Sequence, residues 1–217
     1  MNRPGAVVFD CDGVLVDSEP HSVAAWMIVL GRLRHPGTAG DVERCTGLGF
    51  LPTREALAVV ATLPDPDELW PMLLDALAES FRMGLHRFSD AIDTLEACER
   101  AGVPLGVASA GPRSRLDLTL QVAGLADRFA ASVAGDEVSR GKPAPDVYLR
   151  AAGLLGVEPR HCVAVEDSPV GAQAARAAGM RTIGVVRRPG DRTALEVAGA
   201  VVVQAVTPDM LGLIPGV

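Results

Sequence analysis

Short apolar runs separated by longer amphipathic segments set the pattern of this chain. Gly5-Ala-Val-Val-Phe-Asp10 is a β-branched apolar run ending in acid, the form of a strand buried on both faces of a parallel sheet. Val103–Ala108, Ala131–Ala134, Cys162–Val165, Thr182–Val186 and Val201–Val203 repeat that form and are predicted strands. Between them Ala91–Arg100, Arg113–Val122, Asp146–Leu155 and Pro169–Ala178 carry apolar residues at helical spacing. Such alternation predicts an α/β fold, a Rossmann-like core with a doubly wound parallel sheet in three layers. Gly102, Gly124, Gly156 and Gly179 are predicted to close helices, and Pro112, Pro145 and Pro169 to be first helical residues.

More than 90 residues separate the first two strands, far more than a crossover loop needs. Val23, Trp26, Met27 and Leu30 form one helical stripe there, and Leu57, Val60 and Ala61 a second. Asp65-Pro66-Asp67-Glu68 resembles a capped helix start for a third stripe of Leu69, Leu73, Ala76 and Leu77. Pro71 should kink that helix or mark its true beginning. An all-helical cap subdomain is therefore expected over 16–87, inserted into an α/β core of 1–15 and 88–217. Two crossings in one place make a hinge.

Composition narrows the partners. The 217 residues carry 27 acids against 20 bases, a net charge of −7, which argues against nucleic acid and anionic lipid as partners. Of the 20 bases 19 are arginine, and the single lysine is Lys142. Cys11, Cys45, Cys98 and Cys162 form no CxxC pair and read as reduced, buried thiols. No segment has the apolar length of a signal-peptide core or a membrane span. A soluble, cytoplasmic protein without disulfides is expected, a monomer or weak homodimer with no membrane partner.

Ligands of open parallel sheets bind beyond the carboxyl ends of the strands. After the first strand stand Asp10 and Asp12, whose alternate positions in extended backbone share a face. After the second, Ser109-Ala110-Gly111-Pro112 leads a hydroxyl and free backbone N–H groups into a helix N-terminus, suited to an anion. After the third comes Lys142 in a Gly- and Pro-rich loop, and after the fourth Glu166 and Asp167. Acids gathered at one sheet edge need a cation, and oxygen ligands suit Mg²⁺ shared with a substrate phosphate. A carboxylate can serve as covalent nucleophile in such a site.

These residues carry a resemblance. Asp10-Cys-Asp-Gly-Val-Leu-Val-Asp-Ser18 resembles the first motif, DxDGxxxDS, of the haloacid dehalogenase superfamily. Val107-Ala-Ser109 is similar to the second motif, Gly141-Lys142-Pro-Ala-Pro to the third, and Val165-Glu-Asp167-Ser with Gly171 and Ala177-Ala-Gly-Met180 to the fourth. The inserted helical cap resembles the subfamily containing β-phosphoglucomutase and small phosphatases. The resemblance implies Asp10 as nucleophile, Asp12 as general acid and base, and Ser109, Ala110 and Lys142 as phosphate ligands. It implies Mg²⁺ held by Asp10, the Asp12 carbonyl and Asp167, with Glu166 as direct ligand or behind one. In the cap it points to Thr46, Gly47 and Arg54 as substrate contacts, with His21 near the hinge as another. Solvated readings stand beside two of these, Arg54 as a charge in a first helical turn and His21 as a helix-end histidine.

The implied activity is hydrolysis of a small phosphomonoester, with a sugar phosphate one candidate, through an aspartyl-phosphate. Dehalogenases of the superfamily lack the second aspartate, here Asp12, and phosphonate hydrolysis needs a cap lysine that 16–87 does not contain. Ser22 stands where the mutases carry histidine, and Ala110-Gly111-Pro112-Arg113 departs from their polar run, so a phosphosugar mutase is the alternative. A phospho-ligand-binding protein without turnover is the other. Asp17 and Ser18 are expected to cap the first cap helix, and Arg187 and Arg188 to lie in a solvated loop.

Overall fold

The computed structural model describes residues 3–35, 37–45 and 47–212. Strand β1 (Ala6–Phe9) and the two-residue β2 (Val16–Asp17) precede four helices, α1 (Glu19–Arg32), α2 (Ala39–Glu43), α3 (Phe50–Leu57) and α4 (Pro66–Phe81). Then follow β3 (His86–Arg87), α5 (Ser89–Arg100), β4 (Leu105–Ala108), α6 (Arg113–Val122), β5 (Ala131–Val133) and α7 (Asp146–Leu155). The chain ends in β6 (Cys162–Glu166), α8 (Pro169–Ala177), β7 (Arg181–Val185), α9 (Asp191–Val197) and β8 (Val201–Val203). Two compact units result, Ser18–His86 and the remainder on either side of it.

Six strands form one sheet in the order β5-β4-β1-β6-β7-β8, while β2 and β3 make a separate pair. Every pairing in the large sheet is parallel. From β1 the chain builds outward to β4 and β5, then returns to build β6, β7 and β8 on the other side. Right-handed crossovers in opposite directions place helices on opposite faces, which gives the three-layer α/β architecture. Ala6 and Val8 of β1, Ala108 of β4 and Ala164 of β6 share one apolar cluster with Val147, Tyr148, Ala151 and Ala152 of α7. That cluster fixes which face α7 covers.

In the helical unit α1 buries Ala25, Trp26, Val29 and Leu30, so its inward face is turned slightly from the expected stripe and Val23 and Met27 are half-buried. The expected α4 stripe is buried as read. Trp26 stacks with Phe50 at 6.2 Å between ring centres, and Phe50 meets Trp70 edge-on at 5.0 Å. The four cysteines are free and buried. Among the described residues no helix is long and apolar enough to cross a membrane.

Several local expectations are corrected. β4 begins at Leu105 rather than Val103, because Pro104 offers no N–H to a ladder. β5 stops at Val133, and β7 runs Arg181–Val185 instead of Thr182–Val186. Pro112 and Pro145 sit one position early, at the N-caps of α6 and α7, and Pro169 alone is a first helical residue. Pro71 lies inside α4, which starts at Pro66, and Asp65 at its N-cap makes no side-chain cap bond. α3 ends at Leu57, so Val60, 42% exposed, is not part of a helical stripe. Ser18 occupies the N-cap of α1 with helical dihedrals (φ −88°, ψ −6°) that turn its side chain away from a cap bond.

Leu95 on α5 is fully buried, so Leu95→Ala should cost about 2–5 kcal/mol in urea unfolding through lost transfer energy and the cavity left behind. A loss below about 1 kcal/mol would mean that this face of the sheet is not packed as described.

Candidate active site

The large sheet places its acids by register. Ala6 and Val8 face α7, so Asp10, two residues on, emerges on the same side. In β6 the residues Cys162 and Ala164 face α7 and Glu166 follows them. Val8 pairs with Ala164 and Phe9 with Val165, which brings Asp10 and Glu166 side by side at the carboxyl ends of the two central strands.

Lys142 reaches into this pair from the loop before α7, across a cis Lys142–Pro143 peptide. Its Nζ donates to Asp10 Oδ1 at 2.5 Å, Glu166 Oε1 at 2.6 Å and the Ala108 carbonyl at 3.0 Å. The lysine side chain is only 4% exposed and Glu166 is fully buried. Tyr148 Oη donates to the same Glu166 Oε1 at 2.6 Å, and its ring centre lies 5.0 Å from Nζ. The other Glu166 oxygen, Oε2, accepts from Ser168 Oγ at 3.1 Å. Ser168 also caps α8 by accepting from Gly171 N at 3.0 Å. Gly171 must be glycine, since a Cβ there would overlap the Glu166 carboxylate.

Oxygens of Asp10, Glu166 and Asp167 lie within 4.8 Å of one another. Burial, with repulsion from Glu166, raises Asp167 to about 7. Asp10 is raised well above its ordinary value by burial, although Lys142 opposes the shift. Burial alone would lower the Lys142 ammonium, but Asp10 and Glu166 outweigh it and hold the group well above its usual value. Three carboxylates face one ammonium, so two negative charges stay uncompensated when all are ionised. All-oxygen donors with surplus negative charge fit a hard dication. Gly13, with φ +85°, lies so near Asp167 that a Cβ would overlap its carboxylate, which packs the Asp12–Gly13 backbone against this cluster.

Asp12 pairs with Arg115 of α6 at 3.3 Å and is partly exposed. Ser109 follows β4, and its N–H donates to the Val133 carbonyl at 2.9 Å. Its Oγ accepts from Gly111 N at 3.0 Å, and Gly135 N donates to the Gly111 carbonyl at 2.8 Å, so the Ser109-Ala110-Gly111 turn is pinned from both ends. Ala110 is exposed at its crest.

The cap candidates are placed within the helical unit. His21 shares a 2.8 Å hydrogen bond with Ser80 and meets the Phe81 ring edge-on, so it is not a solvated helix-end histidine. Arg54 lies in the last turn of α3, not a first turn, and donates from Nε to the Pro64 carbonyl at 2.9 Å. Gly47 takes φ +81°, and Thr46 lies outside the described residues. Arg187 is not in a solvated loop either, because it bonds Asp90 and the Gly13 and Val14 carbonyls.

Sequence reasoning missed Tyr148 and Arg115. Tyr148 reads as one apolar position of α7, and only its place in the first turn of that helix, just after the Lys142 loop, signals more. Arg115 is one of many arginines, and its meeting with Asp12 spans 103 positions.

A family model described as haloacid dehalogenase-like hydrolase matches residues 4–179. The chloroplastic Protein SUPPRESSOR OF QUENCHING 1 of Arabidopsis thaliana is 36% identical over 190 residues, 84% of this chain, and the chain spans 18% of that relative's length. Fructose-1-phosphate phosphatase YqaB of Escherichia coli is 33% identical over 191 residues, covering 84% of this chain and 97% of its own. A crystal structure of a HAD family hydrolase from Deinococcus radiodurans R1, with bound phosphate and sodium, superposes with a TM-score of 0.74 at 33% identity and covers 100% of both chains.

The raised carboxylates set a pH dependence. Folded Asp10 and Asp167 bind protons more tightly than the unfolded chain does, so metal-free stability should fall as pH rises from near 4 through about 7. In chelator the thermal midpoint should be higher at pH 5 than at pH 8, and Mg²⁺ should raise it more at pH 8, where the ligands are ionised. A midpoint that climbs from pH 5 to pH 8 in chelator would show that both groups stay ionised throughout.

Proposed function

The chain belongs to the haloacid dehalogenase-like hydrolases, and from that premise we propose that it is a Mg²⁺-dependent phosphatase of a small phosphorylated metabolite. The carrying observation is the buried array in which Lys142 grips Asp10 and Glu166 beside Asp167. The name of the Escherichia coli relative supports a sugar phosphate as substrate class.

In this reading the Asp10 carboxylate attacks phosphorus, the bond from phosphorus to the leaving oxygen breaks, and Asp12 gives that oxygen its proton. Asp12 then takes a proton from the water that attacks the aspartyl-phosphate, and Asp10 is restored with release of phosphate. Asp12 suits the role because its side chain is partly open to solvent while the nucleophile Asp10 is buried. Lys142 holds the nucleophile's orientation and offers its ammonium to phosphoryl oxygens. Ser109 uses its oxygen to accept from Gly111, which leaves its hydroxyl proton for phosphate, joined by the Ala110 N–H. Bound Mg²⁺ would neutralise charge between nucleophile and phosphoryl group. Asp10, Asp167 and the Asp12 carbonyl would hold it, because both Glu166 oxygens are already engaged by Lys142, Tyr148 and Ser168.

Hydrolysis is preferred to phosphosugar transfer. Ser22, at the position of the mutase histidine, donates its hydroxyl to the Ser18 carbonyl at 3.1 Å as a local helix contact.

Mg²⁺-dependent release of phosphate from p-nitrophenyl phosphate and fructose 1-phosphate tests the reading, with chelator as control. Asp10→Asn should abolish turnover, and a variant that keeps wild-type rates would refute the nucleophile. Lys142→Arg should lower kcat by about 10²–10³, since a planar guanidinium does not fit the buried space of one ammonium. Isomerisation of glucose 1-phosphate faster than its hydrolysis would favour the mutase.

A further inference from the structure

We propose that Arg187 is a positioning residue that clamps the loop between β1 and β2, fixing the Asp12–Val14 backbone against Asp167. It rests on the phosphatase reading for its effect on turnover, but its geometry stands apart from that reading. Arg187 follows β7, more than 170 positions from the loop it grips. Its Nε donates to the Gly13 carbonyl at 3.0 Å and its Nη2 to the Val14 carbonyl at 3.2 Å. The two Nη groups meet both oxygens of Asp90 at 3.1 Å. The guanidinium carbon lies 3.8 Å from the centre of the Phe88 ring. With 13% of its side chain exposed, this cation has lost most of its water and is repaid by directed contacts.

The loop needs such an anchor. Within it Gly13 N donates to Val16 O at 2.8 Å and Leu15 N to Cys11 O at 3.0 Å, bonds that leave the Gly13 and Val14 carbonyls to an outside donor. Val14 is fully buried, so its carbonyl is poorly served by water. On its other side the loop is packed against the Asp167 carboxylate through Gly13. Arg187 and Asp167 therefore hold Gly13 from two sides, with Asp12 as its neighbour. Asp90 is itself fixed, accepting from Val206 N at 2.9 Å, and Phe88 N donates to Leu15 O at 3.0 Å. The segments before and after the helical unit are thus tied to each other and to β7 through one guanidinium. A lysine would keep the charge pair with Asp90 but could not stack on Phe88 and supply both carbonyls from one plane.

Four measurements on Arg187→Gln and Arg187→Lys decide the matter. Amide hydrogen exchange, followed without metal, should quicken by about tenfold or more at Gly13, Leu15 and Val16 in Arg187→Gln while β6 and β7 keep wild-type protection. Calorimetric Mg²⁺ affinity and kcat for p-nitrophenyl phosphate should each fall by about 10–100-fold, with KM changed less than about threefold. Arg187→Lys should recover the thermal midpoint but neither the loop protection nor kcat. Wild-type exchange and Mg²⁺ affinity in Arg187→Gln, or full recovery of both by Arg187→Lys, would overturn the proposal and leave a simple ion pair. If Arg187→Gln does not fold, Phe88→Leu removes the stack alone and is judged by the same exchange and affinity outcomes. Wild-type protein that hydrolyses no phosphate ester would defeat the phosphatase reading, and the metal-free exchange would still judge the clamp.

Discussion

One buried ammonium organises the centre of this protein. Lys142 is almost without solvent, and a lone charge so placed would cost many kcal/mol. It is stable because the parallel register delivers Asp10 and Glu166 to it together, at the carboxyl ends of β1 and β6. The demand propagates outward. Glu166 needs Tyr148 and Ser168 to complete its hydrogen bonds, Tyr148 needs α7 against the sheet, and Glu166 needs a glycine at 171 to have room. Sheet register, the position of α7 and the cap of α8 thus each supply a partner to one charge set.

That set is unbalanced by design of its composition. Two negative charges remain after the lysine is counted, and the low dielectric makes their mutual repulsion strong. A proton is one remedy, and burial together with that repulsion raises Asp167 to about 7. A dication would be the other, competing with the proton for the same oxygens. On the proposed phosphatase reading, a site poised between the two would receive a phosphate dianion together with a dication rather than repel it.

The core was legible because its strands are short apolar runs bounded by glycine and proline, a pattern with few alternatives. Helices α6 and α7 begin and end where their periodicity says. Acidic and basic residues following the strands also pointed to one edge, since a parallel sheet gathers its carboxyl ends. Reading failed where tertiary contact outweighs local pattern. Arg187 stands in a polar stretch that reads as solvated, and its partners Gly13, Val14 and Asp90 lie about 100 to 170 positions away. Tyr148 looks like one more apolar helix position until the register brings Glu166 to its hydroxyl. In the helical unit the α4 stripe is buried as read, while the other two are right in kind but shifted, because α1 turns Val29 and Ala25 inward and α3 ends before Val60.

The chain's near-exclusive use of arginine gives these particulars a common explanation. Where a cation must lock two or more fixed acceptors in a plane, arginine is present: Arg113 joins Glu137, Asp117 and the Ser132 carbonyl, and Arg128 grips both oxygens of Glu99. Arg187 does the same with Asp90 and two carbonyls. Such forks are rigid and hold backbone well, but they cannot redistribute their donors when an acceptor changes. Lys142 faces acceptors from different directions around a single nitrogen, Asp10, Glu166 and the Ala108 carbonyl. A compact ammonium can pass a hydrogen bond from a carboxylate to an arriving phosphoryl oxygen by rotating about its last bond, without moving the chain. On the proposed mechanism the exception in the composition therefore falls where a charge has to change partners, and the rule falls where the fold needs charges that cannot.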